Sequence, residues 1–332
     1  MTASRDLLQK ADMTISDLVQ NGGRLQPEDS AVFLRKLIKE PTILRQARVV
    51  EMLSPQRKIN KIGFGTRIMR AGVDNVALTA PTASGLGGRA KPTTEVIVLT
   101  TQEIMAQINL PYDVIEDNIE RATAADNAAP NARGPGGLKE TLLALIAERA
   151  ALDLEELCLL GDTMYTNPAD LDDQAYLSLF DGWLKLAGTQ QILDNQNGPV
   201  DKAIFRDMKK LMPKQYLRVL SQMNYFTSMD AETMWRDSLA NRGSALGDAS
   251  LTGSTPVPAY GVPVVGAAMM PDSKFLLTNP KNLILGVQRQ FSMEFDKDIT
   301  TRTYIVVLTA RVAVEVEETA ATVLGINVNV NA

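Results

Sequence analysis

The side chains that most often carry out catalysis or bind metals are scarce in this sequence. Its 332 residues include no histidine and one cysteine, Cys158. Histidine is the commonest general acid–base and transition-metal ligand near neutral pH, and a CxxC redox or zinc pair needs two cysteines. The composition therefore excludes Ser-His-Asp and Cys-His catalysis and histidine-based zinc sites. Carboxylate- or lysine-based chemistry remains open, but no constellation of residues supports it, so we predict that the protein is not an enzyme.

Two stretches have the residue types of a ligand site without the spacing. Asp170, Asp172 and Asp173 lack the glycine and the distal glutamate of a calcium loop, and acids at such a position more often begin a helix. GLGGRAKPT, which begins at Gly85, does not have the phosphate-loop spacing GxxxxGK[ST]. We therefore predict no metal site, no cofactor site and no catalytic residue.

The composition is that of a folded protein outside the membrane. Hydrophobic residues make up 45% and charged residues 22% of the chain, which is ordinary for a globular protein. No stretch approaches the roughly 18 uninterrupted apolar residues of a membrane span, and the N-terminus lacks an apolar signal core. The single cysteine rules out a disulfide within the chain, which fits a reducing cytoplasm.

The charges are unevenly placed along the chain. From Ala31 to Lys91, twelve Lys or Arg residues and three acids give +9, whereas from Glu140 to Asp181 one arginine and ten acids give −9. These could be two solvated faces of a monomer, a basic segment that lies on the acidic segment of another copy, or a basic segment on nucleic-acid phosphate. The candidate inter-subunit contacts are Arg57, Arg67, Arg70, Arg89, Lys91, Glu155, Glu156, Asp170, Asp172 and Asp173.

Two elements are unusually long. Gly136 to Asp162 is predicted to be one helix, about 35 Å long, with a wide apolar arc that needs structure packed along it; Gly161 ends it as a C′ glycine. Arg302 to Glu318 is predicted to be one long strand, with Val312, Val314 and Val316 on one face. Between them lies a compact mixed domain, from Asp162 to about Asn279. NLILGVQ and FSMEFDKD are predicted to be two further short strands.

The segment from Leu78 to Thr100 is predicted to be a long hairpin, with strand-like ends and a tip of small residues, glycine and proline. Such a tip offers little for a monomer to bury, so the hairpin is expected to rest on a neighbour. Two short helices are predicted before it, at Arg5–Val19 and Leu25–Glu40.

The order of these elements resembles the major capsid protein of tailed phages, the fold of phage Hong Kong 97. The resemblance covers nearly the whole chain and rests on the long helix that ends at Gly161-Asp162, the GVPV strand at Gly261–Val264 and the run from Asn279 to Glu318. It implies an α+β fold with an N-terminal arm, an extended loop, a peripheral domain with a spine helix and long β-strands, and an axial domain. The implied boundaries are residues 1–64 for the arm, 65–101 for the extended loop, 102–162 and 283–318 for the peripheral domain, 163–282 for the axial domain, and 319–332 for a C-terminal strand that returns to it.

The resemblance implies a structural protein that assembles as hexamers and pentamers into an icosahedral shell around double-stranded DNA. The implied partners are other copies of the chain, a separate scaffolding protein, a portal and a decoration protein, with weak non-specific contact to packaged DNA and no membrane. The implied location is the virion, after assembly in the host cytoplasm. The alternative within the same fold is a nanocompartment shell like an encapsulin, which encloses a cargo enzyme.

Overall fold

The computed structural model describes residues 42–63, 68–69, 92–111, 138–240 and 256–330. The predicted N-terminal helices and the tip of the predicted hairpin lie outside these residues. The α-helices of the described part are α1 (Leu138–Leu160), α2 (Leu171–Leu177), α3 (Trp183–Ala187), α4 (Lys202–Leu211) and α5 (Met229–Ala240). Its strands are β1 (Arg48–Glu51), β2 (Gln56–Gly63), β3 (Thr93–Thr100), β4 (Gln102–Pro111), β5 (Ile192–Pro199), β6 (Asn224–Thr227), β7 (Pro258–Ala259), β8 (Val262–Gly266), β9 (Phe275–Thr278), β10 (Leu283–Asp298), β11 (Thr303–Val316) and β12 (Val323–Asn329).

A four-stranded sheet has the order β1-β10-β11-β4. β1 is parallel to β10, and the other two pairs are antiparallel. The predicted long strand is confirmed as β11. The two short strands predicted before it are wrong, because they form one strand, β10, that stays paired with β11 through register shifts between Val287 and Ser292. An irregularity of this kind bends a strand without ending it, and it interrupts the alternation of side chains that the sequence shows.

A six-stranded sheet has the order β5-β12-β9-β6-β8-β7. The C-terminal strand β12 lies between β5 and β9, parallel to the first and antiparallel to the second. An aromatic cluster holds α4 and α5 against this sheet: the ring of Phe205 lies 5.0 Å from Tyr225, 4.7 Å from Trp235 and 5.7 Å from Phe275. The Tyr225 hydroxyl donates to the carbonyl of Phe205 at 2.8 Å, so the buried phenol is satisfied.

The end of α1 packs against both sheets. Leu157, Cys158 and Leu159 are fully buried and share one apolar core with Val312 of β11 and Leu276 of β9. α3 joins the same core, and its first residue, Trp183, donates from Nε1 to the carbonyl of Glu315 in β11 at 3.2 Å. The predicted long helix is therefore confirmed, and its described second half has the wide buried arc expected of it.

Gly161 follows the last residue of α1, as predicted, but the reason is close packing. Its φ is not positive, so it is not the left-handed cap that the sequence suggested. A Cβ at Gly161 would lie 2.5 Å from the carbonyl oxygen of Phe180, and one at Gly182 would lie 2.7 Å from that of Leu159. The amide of Gly182 donates to the carbonyl of Gly161 at 2.7 Å. Two glycines thus let the chain before α3 touch the end of α1.

A buried carboxylate fixes the start of the described chain to α1. Glu155 is fully buried and accepts from the amides of Thr42 at 3.3 Å, Ile43 at 2.5 Å and Leu44 at 3.3 Å. These amides begin a turn in which the amides of Gln46 and Ala47 both donate to the carbonyl of Ile43 at 3.0 Å. The first amides of a turn have no partner within it, and a carboxylate is a strong acceptor for them.

β2 and β3 form an antiparallel hairpin that lies on the four-stranded sheet. Their pairing runs from Gln56 opposite Thr100 to Gly63 opposite Thr93. The first strand therefore takes up the end of the segment that was predicted to be the N-terminal arm. Residues on one face of the hairpin point toward the sheet, and Leu99 on that face is fully buried.

Leu99 packs against two small residues of the sheet. Gly286 and Ala313 lie directly opposite each other in β10 and β11, and a Cβ at Gly286 would lie 3.4 Å from Leu99 Cδ2 and 3.3 Å from Ala313 Cβ. Val50 and Met52 complete this small core. Ala313 is buried for this reason, although it faces away from the core valines of β11.

Replacing Leu99 by alanine should destabilise the folded chain by about 2–5 kcal/mol, because the truncation leaves a cavity over Gly286. The measurement is urea unfolding of the full-length chain under conditions that prevent assembly. Val98→Ala, one residue away on the exposed face, is the control and should change the unfolding free energy by no more than about 0.5 kcal/mol. Equal effects of the two variants would contradict this packing of the hairpin.

Replacing Glu155 by glutamine should destabilise the chain by about 1–3 kcal/mol, because one of the two oxygens becomes an NH₂ group that cannot accept from the amides of the turn. Glu156→Gln changes the neighbouring, partly exposed carboxylate and should change stability by less than about 0.5 kcal/mol. Both are measured by urea unfolding. A Glu155→Gln chain as stable as the unmodified one would show that the turn does not depend on this carboxylate.

Candidate subunit interface

The outer face of the β2–β3 hairpin carries large apolar side chains in contact with solvent. Ile62 is 70% exposed, Val96 54% and Val98 42%. All three lie on one face, because Val96 and Val98 are two residues apart and Ile62 is paired with Thr94 in the same register. The hairpin buries Leu99 on one face and exposes aliphatic side chains on the other. Exposed apolar side chains on one face are typical of a surface that another protein covers.

Several cations of the predicted basic segment are paired within the chain. Arg48 contacts Glu317 at 3.0 Å, and Lys61 contacts both Glu318 and Glu95, the latter at 3.5 Å. Partial burial lowers the pKa of Lys61, but the hydrogen bond and charge of Glu318, with a contribution from Glu95, give a net rise. Counting charges along the sequence missed these pairs because Glu317 and Glu318 are distant in sequence.

The basic candidates divide into described and undescribed residues. Arg57 donates from its guanidinium to the carbonyl of Glu51, so it braces the turn between β1 and β2 while its side chain stays at the surface. Arg67, Arg70, Arg89 and Lys91 lie outside the described residues.

The acidic candidates lie near the end of α1 and the start of α2, and all of them except Glu155 are at least partly exposed. Glu155 is buried against its own chain, which corrects the expectation that its carboxylate contacts a neighbouring subunit. Asp170 caps α2 by accepting from the amides of Asp172 at 3.1 Å and Asp173 at 3.2 Å, so the predicted helix start is confirmed. Asp173 also accepts from the Tyr165 hydroxyl at 2.9 Å.

Glu156, Asp170, Asp172 and Asp173 form what we call the acidic patch. Burial, followed by the negative charge of Asp153, raises the pKa of Glu156 against the opposing effect of Arg149. Burial likewise raises the pKa of Asp153 despite its ion pair with Arg149. A raised carboxyl pKa means that neighbouring groups do not fully stabilise the ionised form. A cation brought close to Glu156 would therefore stabilise its carboxylate.

Other acids of the same segment are already compensated. Lys185 contacts Asp162 at 2.5 Å and Asp181 at 2.8 Å. The hydrogen bond from Lys185, followed by one from the amide of Met164, lowers the pKa of Asp162. The net charge of −9 counted from Glu140 to Asp181 therefore overstates the charge that is available to a partner.

The described residues contain no group of three or more histidine, cysteine, aspartate or glutamate side chains placed to hold a metal ion. Cys158 is fully buried, and burial raises the pKa of its thiol, which suppresses the reactive thiolate. In the same part of the chain, no helix has the length and apolar character of a membrane span. The features that are present, an apolar hairpin face and a charged patch, suit contact between protein surfaces.

Comparison with known proteins gives one relative in sequence and many in structure. No protein-family model matches the chain. The chain is 37% identical over 327 residues to the Bacillus subtilis (strain 168) protein named "Putative prophage capsid protein YqbE", covering 95% of this chain and 96% of that protein.

The similar solved structures share the fold at low sequence identity. The satellite phage P4 procapsid structure matches with a TM-score of 0.59 at 14% identity, covering 96% of this chain and 98% of that one. Mycobacterium phage Cain matches with 0.57 at 15% identity over 97% and 100% of the two chains. The SrpI encapsulin of Synechococcus elongatus PCC 7942 matches with 0.59 at 12% identity over 96% and 98%. The predicted α+β capsid fold is therefore confirmed, and the chain belongs to the major capsid proteins of tailed phages, a structural family not known to be enzymatic.

Proposed function

We propose that this protein assembles as hexamers and pentamers into the icosahedral shell of a tailed-phage head that encloses double-stranded DNA. The observation that carries the proposal is the 37% identity to a prophage capsid protein over 95% of the chain. The protein would then reside in the virion after assembly in the host cytoplasm. A separate scaffolding protein, a portal and a decoration protein are the partners that such a head would use.

The exposed face of the hairpin supports contact between copies. Its inner face is fixed by Leu99, so the aliphatic residues of the outer face are held in place before any partner arrives. Covering Ile62, Val96 and Val98 with a neighbouring subunit would remove apolar surface from water, which favours association. The hairpin is thus a preorganised element that gains stability through assembly.

The acidic patch supports a second contact between copies. Its carboxylates carry charge that the described chain compensates only in part, and the segment around the hairpin tip carries Arg67, Arg70, Arg89 and Lys91. We propose that these cations approach the acidic patch of an adjacent subunit. Opposite charges at such an interface contribute more to orientation and association rate than to affinity.

A nanocompartment shell is the alternative function of this fold. The structural comparison does not separate the two, since the encapsulin and the phage P4 procapsid match this chain with the same TM-score, 0.59. The sequence relative favours the phage head. Contact with packaged DNA is then non-specific and weak for each subunit, because the chain as a whole carries a net charge of −5.

Electron microscopy of the purified full-length protein tests the proposal. We expect closed shells, and we expect particles from phage-producing cells to contain DNA. Shells filled with a single protein cargo would instead identify a nanocompartment. A chain that stayed monomeric under all assembly conditions would contradict both functions.

Val98→Asp should prevent or strongly reduce shell formation without unfolding the chain, because it places a charge in the apolar contact of the outer hairpin face. Assembly is measured by sedimentation and electron microscopy, and folding by the midpoint of thermal unfolding of unassembled protein. Val98→Thr keeps the β-branched shape without a charge and is the control, with assembly expected near that of the unmodified chain. Normal shells from Val98→Asp would exclude this face from the interface.

A further inference from the structure

A further charged surface lies on α4 and the residues that follow it, outside both segments considered above. Residues 202–218 contain six cations and a single acid, Asp207, a net charge of +5. We call the cations of this stretch the basic face: Lys202, Arg206, Lys209, Lys210, Lys214 and Arg218.

The arrangement of the basic face follows from the amphipathic character of α4. Ile204, Phe205 and Met208 pack into the core beneath the helix, which turns the intervening positions outward. Lys202, Arg206 and Lys210 are exposed and follow each other at intervals of four residues. They therefore form a row of positive charges with a spacing of about 6 Å along the helix.

Few groups within the chain compensate these charges. Arg206 is paired with Asp207 at 2.9 Å, and Lys210 reaches the same carboxylate at 3.5 Å. Asp201 caps α4 by accepting from the amides of Ala203 at 2.7 Å and Ile204 at 3.4 Å. One acid thus serves two cations of the row, and the carboxylate of Asp201 is engaged with the backbone at the start of the helix.

An exposed tyrosine in an unusual backbone conformation borders the basic face. Tyr260 and Gly261 form the two-residue turn between β7 and β8, with φ of 50° and 83°. Positive φ at both positions is the geometry in which asparagine or aspartate normally precedes glycine, and it is uncommon for a large side chain. Tyr260 is 45% exposed, and Lys209 donates to its carbonyl at 2.8 Å. The turn therefore holds a phenol at the edge of the cations, at a cost in backbone energy.

We infer that the basic face, together with Tyr260, binds the phosphate backbone of duplex DNA without sequence preference. This inference rests on the proposed function, in which the shell encloses DNA, and it assigns the DNA contact to one surface of the subunit. A row of flexible cations with a neighbouring hydroxyl donor is the residue set that contacts phosphates.

The alternative occupant is the acidic patch of a second copy, and the structure favours DNA over it. The acidic patch is already proposed above as the contact for Arg67, Arg70, Arg89 and Lys91 of an adjacent subunit. The patch is compact, whereas Lys202, Arg206 and Lys210 form a row along α4. A regularly charged polymer matches such a row better than a compact cluster does.

The test compares two double variants of the full-length, unassembled chain. Lys202→Ala with Lys214→Ala removes two exposed cations of the basic face, and Lys274→Ala with Lys281→Ala removes the same charge elsewhere. Binding to a labelled duplex of arbitrary sequence is measured by fluorescence anisotropy between 50 and 200 mM salt. We expect the basic-face variant to reduce the slope of log affinity against log salt by roughly 2, and the control to leave it unchanged.

A third variant separates binding from folding. Tyr260→Asn should raise the midpoint of thermal unfolding, because asparagine tolerates positive φ, and should lower DNA affinity. Equal slopes of log affinity against log salt for the two double variants would contradict the assignment of DNA binding to this surface. Unchanged DNA affinity in Tyr260→Asn would contradict it as well. If the basic-face variant lost binding to polyglutamate but kept its binding to DNA, the basic face would bind acidic protein. That result would also contradict the inference. Electron microscopy of each variant reports shell assembly separately from DNA binding. If a basic-face variant formed normal shells and bound DNA unchanged, this inference would be wrong but the proposed function would remain supported.

Discussion

The apolar core at the end of α1 is the contact on which the rest of this structure depends. Leu157, Cys158 and Leu159 pack between the two sheets, and α3 closes the same core with Trp183. Each sheet alone would leave one face uncovered. Because a single core holds both, α1 and the sheets form one mechanical unit, and the glycines at 161 and 182 allow the backbones to meet there without a gap.

The hairpin and the first described turn are attached to this unit by different interactions. Leu99 sits over Gly286 and Ala313, so the hairpin is held by shape complementarity between one large and two small residues. The turn at Thr42–Gln46 is held by the buried carboxylate of Glu155, which accepts hydrogen bonds from three backbone amides. Both attachments fix the base of a segment that continues beyond the described residues.

Charge has three distinct uses in the described chain. Pairs such as Arg48–Glu317 and Lys61–Glu318 connect parts of one subunit, and being partly exposed they contribute modestly to stability. In the acidic patch, burial and the nearby charge of Asp153 raise the pKa of Glu156. The basic face on α4 is a row with one acid for two cations. The net charge of −5 describes none of these surfaces, because they are separated in space.

The sequence was enough to predict α1, β11 and the family. The wide apolar arc of α1, the alternating valines of β11 and the absence of histidine depend on local periodicity and composition, which survive in any tertiary arrangement. Other features needed the folded chain. Glu155 looked like one acid among ten in its segment, and only the approach of the Thr42–Leu44 amides, more than a hundred residues away in sequence, buries it. The continuity of β10 depends on its pairing with β11, and the burial of Ala313 depends on the hairpin above it. Glu318, one partner of Lys61, lies 257 residues away in sequence. Contacts between distant residues decide burial and pairing, and no local pattern records them.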